Sequence, residues 1–168
     1  LAGAETIIAV DPVAFKRDKA KTFGAHLAAS SMEEARDVVG EVTRGRMANQ
    51  VIMAMGVGRG DQLHQAMALA AKRGRVVVTN IHPAFELDVK LNLGDVTAME
   101  KQIVGSLFGS ANPRSDIPRL LELSERGQFD LEGLVTRSYP LEGVNDGYRD
   151  MRAGLNIRGT LVLDGAPG

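Results

Sequence analysis

An α/β fold built on a parallel, doubly wound sheet is expected over residues 1–109, and three observations support it. Short β-branched runs alternate with helical segments, the pattern that strand–helix–strand units produce. The run at 50–55 is almost wholly apolar, as a strand covered on both sheet faces should be, and 75–79 resembles it. Glycine and proline stand at the ends of these runs, at Pro12, Gly24 and Gly74, where the chain must turn. After Gly109 the texture changes, and 110–168 reads as a smaller α+β piece.

The elements follow in order. Residues 6–10 form a strand closed by Asp11-Pro12, and Pro12 suits the first turn of a Lys-rich helix over 13–23. Gly24 ends that helix as a C-terminal cap. A short strand at 26–29 precedes Ser31, which with Glu34 three residues on makes a capping box for a helix reaching Val42. Strand 50–55 leads through the turn Gly56-Val-Gly-Arg-Gly60 into a helix over 61–72, with Leu63, Met67 and Ala70 on one face. Gly74 then turns the chain into strand 75–79. Segment 85–91, from Phe85 to Leu91, alternates apolar and charged residues and reads as an edge strand, and 102–108 is a further strand. Asn112-Pro113 opens a loop, followed by helix 117–126, strand 134–138, helix 141–151 and strand 158–163. The tail 164–168 reads as a frayed end or linker.

Composition narrows the function classes. The chain has 168 residues, enough for one domain or one domain plus part of another, with 44% hydrophobic and 24% charged residues and a net charge of −1. That balance does not suit nucleic-acid binding, and the absence of Trp argues against aromatic stacking on bases. No apolar run approaches the roughly 20 residues of a membrane span, and the N-terminus lacks signal-peptide character. With no cysteine, disulfides and cysteine-ligated metal sites within these residues are ruled out, and a cytoplasmic location fits.

Asp11 is the most informative single residue. An acidic side chain at the C-terminal tip of a buried strand is where a dinucleotide-binding fold holds the adenosine ribose, about 20 residues after a glycine fingerprint. Only ten residues precede Asp11, so the sequence is expected to open inside a nucleotide-binding unit. By itself Asp11-Pro12 also fits an ordinary turn. Gly56-x-Gly58-x-Gly60 lacks the fingerprint spacing and reads as a turn. His26, His64 and His82 are scattered, with no second ligand at metal-binding spacing, and no Walker loop is found.

Several segments, in colinear order, resemble medium-chain zinc-type alcohol dehydrogenases. Thr6-Ile-Ile-Ala-Val-Asp11, Lys16 and Lys21-Thr-Phe-Gly24-Ala25 resemble that family's second strand and following helix. Arg75-Val-Val-Val-Thr-Asn80 resembles its fifth strand, and Gly105-Ser-Leu-Phe-Gly109 with Ser115-Asp-Ile-Pro-Arg-Leu-Leu121 its sixth strand and next helix. Tyr139-Pro-Leu-Glu-Gly-Val-Asn145-Asp-Gly147-Tyr, Met151-Arg-Ala-Gly154 and Ile157-Arg158-Gly-Thr-Leu-Val162 resemble its closing helix and strand. The wording is nearest to actinobacterial members. The resemblance covers the second half of such enzymes. It implies an incomplete Rossmann-type sheet over 1–109, without the first strand and its glycine fingerprint, and a C-terminal contribution to a catalytic domain over 110–168.

The resemblance also implies roles. Asp11 and Lys16 would hold the adenosine ribose, with Asp11 repelling a 2′-phosphate and so favouring NAD over NADP. Gly56 and Val57, then Thr79, Asn80 and Ile81, then Ser106 and Phe108 would lie along the ribose and nicotinamide end of the cofactor. Many relatives carry glycine where Asn80 falls. Arg158 would fork onto the pyrophosphate. Zinc would belong to the complete enzyme, with its ligands in the other half, so no catalytic or metal residue is expected here and this chain alone should be inactive. Segment 85–91 would pair with a second copy, making a homo-oligomer. The expected substrate is a small alcohol or aldehyde, with no nucleic acid or membrane partner. A truncated, non-catalytic assembly module and a zinc-free quinone-reductase-like enzyme are the alternatives; Asp11 argues against the latter.

Overall fold

The computed structural model describes residues 2–85 and 87–163. The tail expected at 164–168 lies outside the described residues. The chain forms two compact units, one of residues 1–28 with 113–168 and the other of 29–112. Among the described residues no helix is long and apolar enough to cross a membrane.

In the first unit, β1 (Ile8–Val10) pairs with β2 (Leu27–Ala29), whose last residue begins the second unit. His26 secures the pair: its backbone N–H donates to the Ile7 carbonyl at 2.8 Å, while its Nδ1 accepts from the Ile7 N–H at 3.1 Å. Helix α1 (Ala14–Thr22) begins two residues beyond Pro12, because Asp11 Oδ1 accepts the Val13 N–H at 2.8 Å and makes a side-chain turn ahead of the helix. Gly24 closes it with φ +99°, as a C-terminal glycine should. Helix α5 (Pro113–Glu125) starts four residues before the expected 117, since Pro113 suits the first helical position. Strands β6 (Val135–Pro140) and β7 (Arg158–Val162) are parallel, with α6 (Val144–Arg152) between them. The first turn expected of α6, at 141–143, is a 3-10 turn.

The second unit carries a parallel sheet in the order β3-β4-β5, with β3 Ala48–Met53, β4 Ala70–Val78 and β5 Gln102–Gly105. Helix α2 (Met32–Val42) starts at the capping box as expected: Ser31 Oγ accepts the Glu34 N–H at 3.1 Å. Glu34 reaches back to Ser30 rather than Ser31, accepting its N–H at 2.7 Å. Helix α3 (Gly60–Leu69) stops short of the expected 72. Ala70 and Ala71 are already extended and buried, and the Arg73 N–H is fixed on the Met99 carbonyl at 2.7 Å. Tertiary packing there overrides the helical preference of the alanines. A Cβ at Gly74 would lie 2.8 Å from Ala71 backbone atoms, so this turn requires glycine.

Two further expectations in this unit need correction, and one helix was not expected. Segment 85–91 forms no strand among its described residues; 88–89 instead lies against the start of α3, where a Cβ on Gly60 would meet the Asp88 carbonyl oxygen at 2.7 Å. Helix α4 (Leu93–Ala98) was not anticipated, although Asn92 caps it by accepting the Asp95 N–H at 3.1 Å. Strand 102–108 ends at Gly105, because Phe108, Gly109 and Ser110 take left-handed backbone angles that no strand can continue through. The core packs Met53, Ala66, Met67, Ala70 and Val76 together, with Ala29, Ala35 and Leu69 as a second cluster.

Candidate cofactor site

In the second unit the parallel sheet brings three of the expected segments to one edge, the C-terminal ends of β3, β4 and β5. That is where open α/β sheets bind ligands. The ends are tied by backbone and side chain. Thr79 donates to the Met53 carbonyl through both its N–H, at 3.2 Å, and its Oγ1, at 2.8 Å. Val57 and Ile81 form a parallel bridge, and the Gly58 N–H donates to the Ile81 carbonyl at 2.8 Å. The Ser106 N–H donates to the Val78 carbonyl at 2.9 Å. Gly56, Val57, Thr79, Asn80, Ile81 and Ser106 therefore stand on adjoining strand ends.

The surface they present suits a flat ligand. Val57 and Ile81 are 69% and 74% exposed although both are apolar. No atom lies within 4 Å of where a Gly56 Cβ would be, leaving room for close approach. Phe108 is exposed and held at φ 48°, ψ 38°, an unfavourable region for an aromatic residue, and strain of this kind concentrates at functional sites. Ser106 Oγ and Ser110 Oγ lie 3.0 Å apart across that turn. Asn80 Oδ1 is buried without a hydrogen-bond partner, a state that costs about 1–3 kcal/mol. The left-handed turn was not legible in the sequence beyond Gly109.

The first unit holds the remaining expected residues. The Asp11 carboxylate is half-buried and oriented through Oδ1 on Val13, with Oδ2 taking no described hydrogen bond. Arg17 donates to the Asp11 carbonyl at 2.7 Å and the Pro12 carbonyl at 2.9 Å, fixing the turn. The Lys16 stem passes the turn after α6: a Cβ at Gly154, which has φ +70°, would meet Val13 Cγ2 at 3.2 Å and Lys16 Cε at 3.8 Å. Four residues on, Arg158 is exposed at the start of β7 and lines a groove of about 240 Å³ with Tyr139, Tyr148 and Met151.

A polar cluster beside that groove was not anticipated. The Tyr139 hydroxyl donates to Asp150 at 2.8 Å and accepts from the buried Asn156 Nδ2 at 3.2 Å, and Arg137 pairs with the same carboxylate. The Tyr139 hydrogen bond and the Arg137 guanidinium hold the Asp150 carboxyl below the usual carboxylate range, and Asp150 in turn raises Arg137. Tyr139 Cε2 would lie 2.9 Å from a Cβ at Gly159, so this cluster needs a glycine on β7.

Comparison with known proteins agrees with this architecture. The profile of the family described as zinc-binding dehydrogenase matches residues 1–126. The chain belongs to the zinc-binding dehydrogenase family. Within it, this chain is similar to the NDMA-dependent alcohol dehydrogenase of Amycolatopsis methanolica, 47% identical over 96% of this chain and 43% of that protein. It is 44% identical to the putative alcohol dehydrogenase D of Mycobacterium tuberculosis, over 96% of this chain and 44% of that one. Among solved structures, benzyl alcohol dehydrogenase from Acinetobacter calcoaceticus superposes with a TM-score of 0.86 at 26% identity, covering 96% of this chain and 43% of its own. The chain thus spans less than half the length of these relatives, and it matches the C-terminal, cofactor-binding half with its Rossmann-like parallel sheet. Among the described residues of this chain, no three His, Cys, Asp or Glu side chains are grouped to hold a metal ion.

Proposed function

We propose that this chain is the NAD-binding half of a zinc-dependent dehydrogenase that moves hydride between a small alcohol or aldehyde and NAD. The observation that carries the reading is the sheet edge in the second unit, where Val57, Ile81 and Ser106 stand on three adjacent strand ends. The residues fit the cofactor. The open space at Gly56 and the exposed Val57 and Ile81 suit the ribose and flat ring of the nicotinamide end. We assign Asp11 and Lys16 to the adenosine ribose and Arg158 to the pyrophosphate, with Phe108 beside the nicotinamide end. The open Asp11 Oδ2 can accept a ribose hydroxyl, and its charge disfavours a 2′-phosphate there. When bound, NAD supplies the hydride acceptor; these residues bind and orient it.

The reading places the zinc ligands in the other half of the complete enzyme, as the family resemblance implies. The same reading divides the chain into a cofactor-binding part, 1–109, and a catalytic-domain contribution, 110–168. It assigns contacts with a second copy to segment 85–91, where Phe85 and Leu87 are almost fully exposed. The test is an activity assay with NAD and a panel of primary alcohols on the complete polypeptide and on these 168 residues alone. Zinc-dependent turnover is expected only from the complete polypeptide; turnover by the 168-residue chain would overturn the division of labour.

A further inference from the structure

Beyond β4, two side chains form a clasp over the turn that follows β3, which the strand pairing does not require. Asn80 Nδ2 lies 3.1 Å from His82 Nε2, and both groups sit over Gly58. A Cβ at Gly58 would fall 1.7 Å from Asn80 Nδ2 and 2.5 Å from His82 Cε1, so the amide and the imidazole occupy the space a side chain would take. Gly58 is also tied by its own N–H to the Ile81 carbonyl, and its neighbour Val57 bridges Ile81. The clasp therefore closes over the backbone that carries Val57 and Ile81, whose exposed side chains form the apolar face at this edge. With Nε2 accepting from the amide, a neutral ring carries its proton on Nδ1.

We infer that Asn80 and His82 are positioning residues: by closing over Gly58 they hold Val57 and Ile81 in the register that receives the nicotinamide end of the cofactor, without touching its adenosine end. This rests on the proposed function, and it adds a side-chain device at a position otherwise read as backbone. Three features separate it from generic packing. The clasp lies at the sheet edge, outside the buried core clusters. It uses directional polar groups where apolar ones would fill the space equally well. It also leaves the buried Oδ1 of Asn80 without a partner, which a purely structural role would avoid.

The experiment compares two ligands on the complete polypeptide by calorimetry: NADH, and ADP-ribose, which lacks the nicotinamide. Asn80→Ala and His82→Leu should each weaken NADH by roughly tenfold, the scale of one well-placed hydrogen bond, and leave ADP-ribose within about twofold. His82→Gln offers an oxygen acceptor for Asn80 Nδ2 and should restore most of the NADH affinity lost in His82→Leu. Equal losses for both ligands, or unchanged NADH affinity, would overturn the inference while leaving the cofactor reading intact. A wild-type protein that binds neither ligand would overturn both. If Asn80→Ala does not fold, the Leu and Gln variants at position 82 decide the matter alone.

Discussion

The two units of this chain are held together by different means. Every apolar residue buried among the described residues, from Ala29 to Val76, belongs to the second unit. In the first unit the buried side chain is a polar one, Asn156, and all five residues of β7 are exposed. Two-stranded parallel pairs are seldom stable without cover on both faces. The second unit is organised by hydrophobic burial around a three-stranded sheet. The first is organised by the cluster of Arg137, Asp150, Tyr139 and Asn156 and by helix ends. The difference places the strand-end surface of Val57, Ile81 and Ser106 on the better-packed scaffold. It leaves Asp11, Lys16 and Arg158 on elements whose apolar residues, such as Val10, Leu161 and Val162, are exposed.

The largest effect should come from the core of the second unit. Met53 is 1% exposed and packs with Val76 at 0%; Met53→Ala should cost about 2–5 kcal/mol in chemical denaturation, with loss of the NADH site as a consequence. If the cost is below about 1 kcal/mol, the contrast between the units fails. A smaller loss, about 1–2 kcal/mol, is expected for Tyr139→Phe, which removes two hydrogen bonds from the polar cluster. That variant should leave the unfolding of the second unit unchanged, read by hydrogen exchange along β4.

Acid should separate the units as well. Asp150 has its folded carboxyl pKa lowered, chiefly by the Tyr139 hydroxyl. Its stabilising contribution is therefore complete above the unfolded carboxylate value of about 4 and is lost as pH falls through the lower folded value. The first unit should loosen in that acid window, and Asp150→Asn should flatten the pH dependence of its melting temperature. Smallest of all should be Lys16→Met: its ammonium makes no described ion pair, so stability should hold within about 0.5 kcal/mol while NADH affinity falls about fivefold.

The parallel sheet was legible because strand runs such as 75–79 carry both-face apolar character and their bounding glycines are sterically required, as Gly74 is. The Ser31 cap was legible because its geometry is local. What the sequence hid depends on contacts distant along the chain. Ala70 and Ala71 read as helix, yet they are extended because the sheet and Met99 hold them. The alternation at 85–91 reads as an edge strand, but Asp88 and Val89 instead lie against the start of α3. Helix α4 did leave a local signal, Asn92 with Asp95 three residues on. For the candidate site, sequence picked out the strand-end residues, but not the clasp of Asn80 and His82 on Gly58, whose partners meet only when β3 and β4 lie side by side.

The central claim, that Asp11 makes this a NAD-binding chain, is tested most directly by titrating the complete polypeptide with NADH and NADPH, as wild type and as Asp11→Ala. NADH should bind at least about tenfold more tightly than NADPH, a difference of roughly 1.4 kcal/mol, and Asp11→Ala should remove most of that gap. Equal wild-type affinities, or a gap that survives the substitution, would contradict the account.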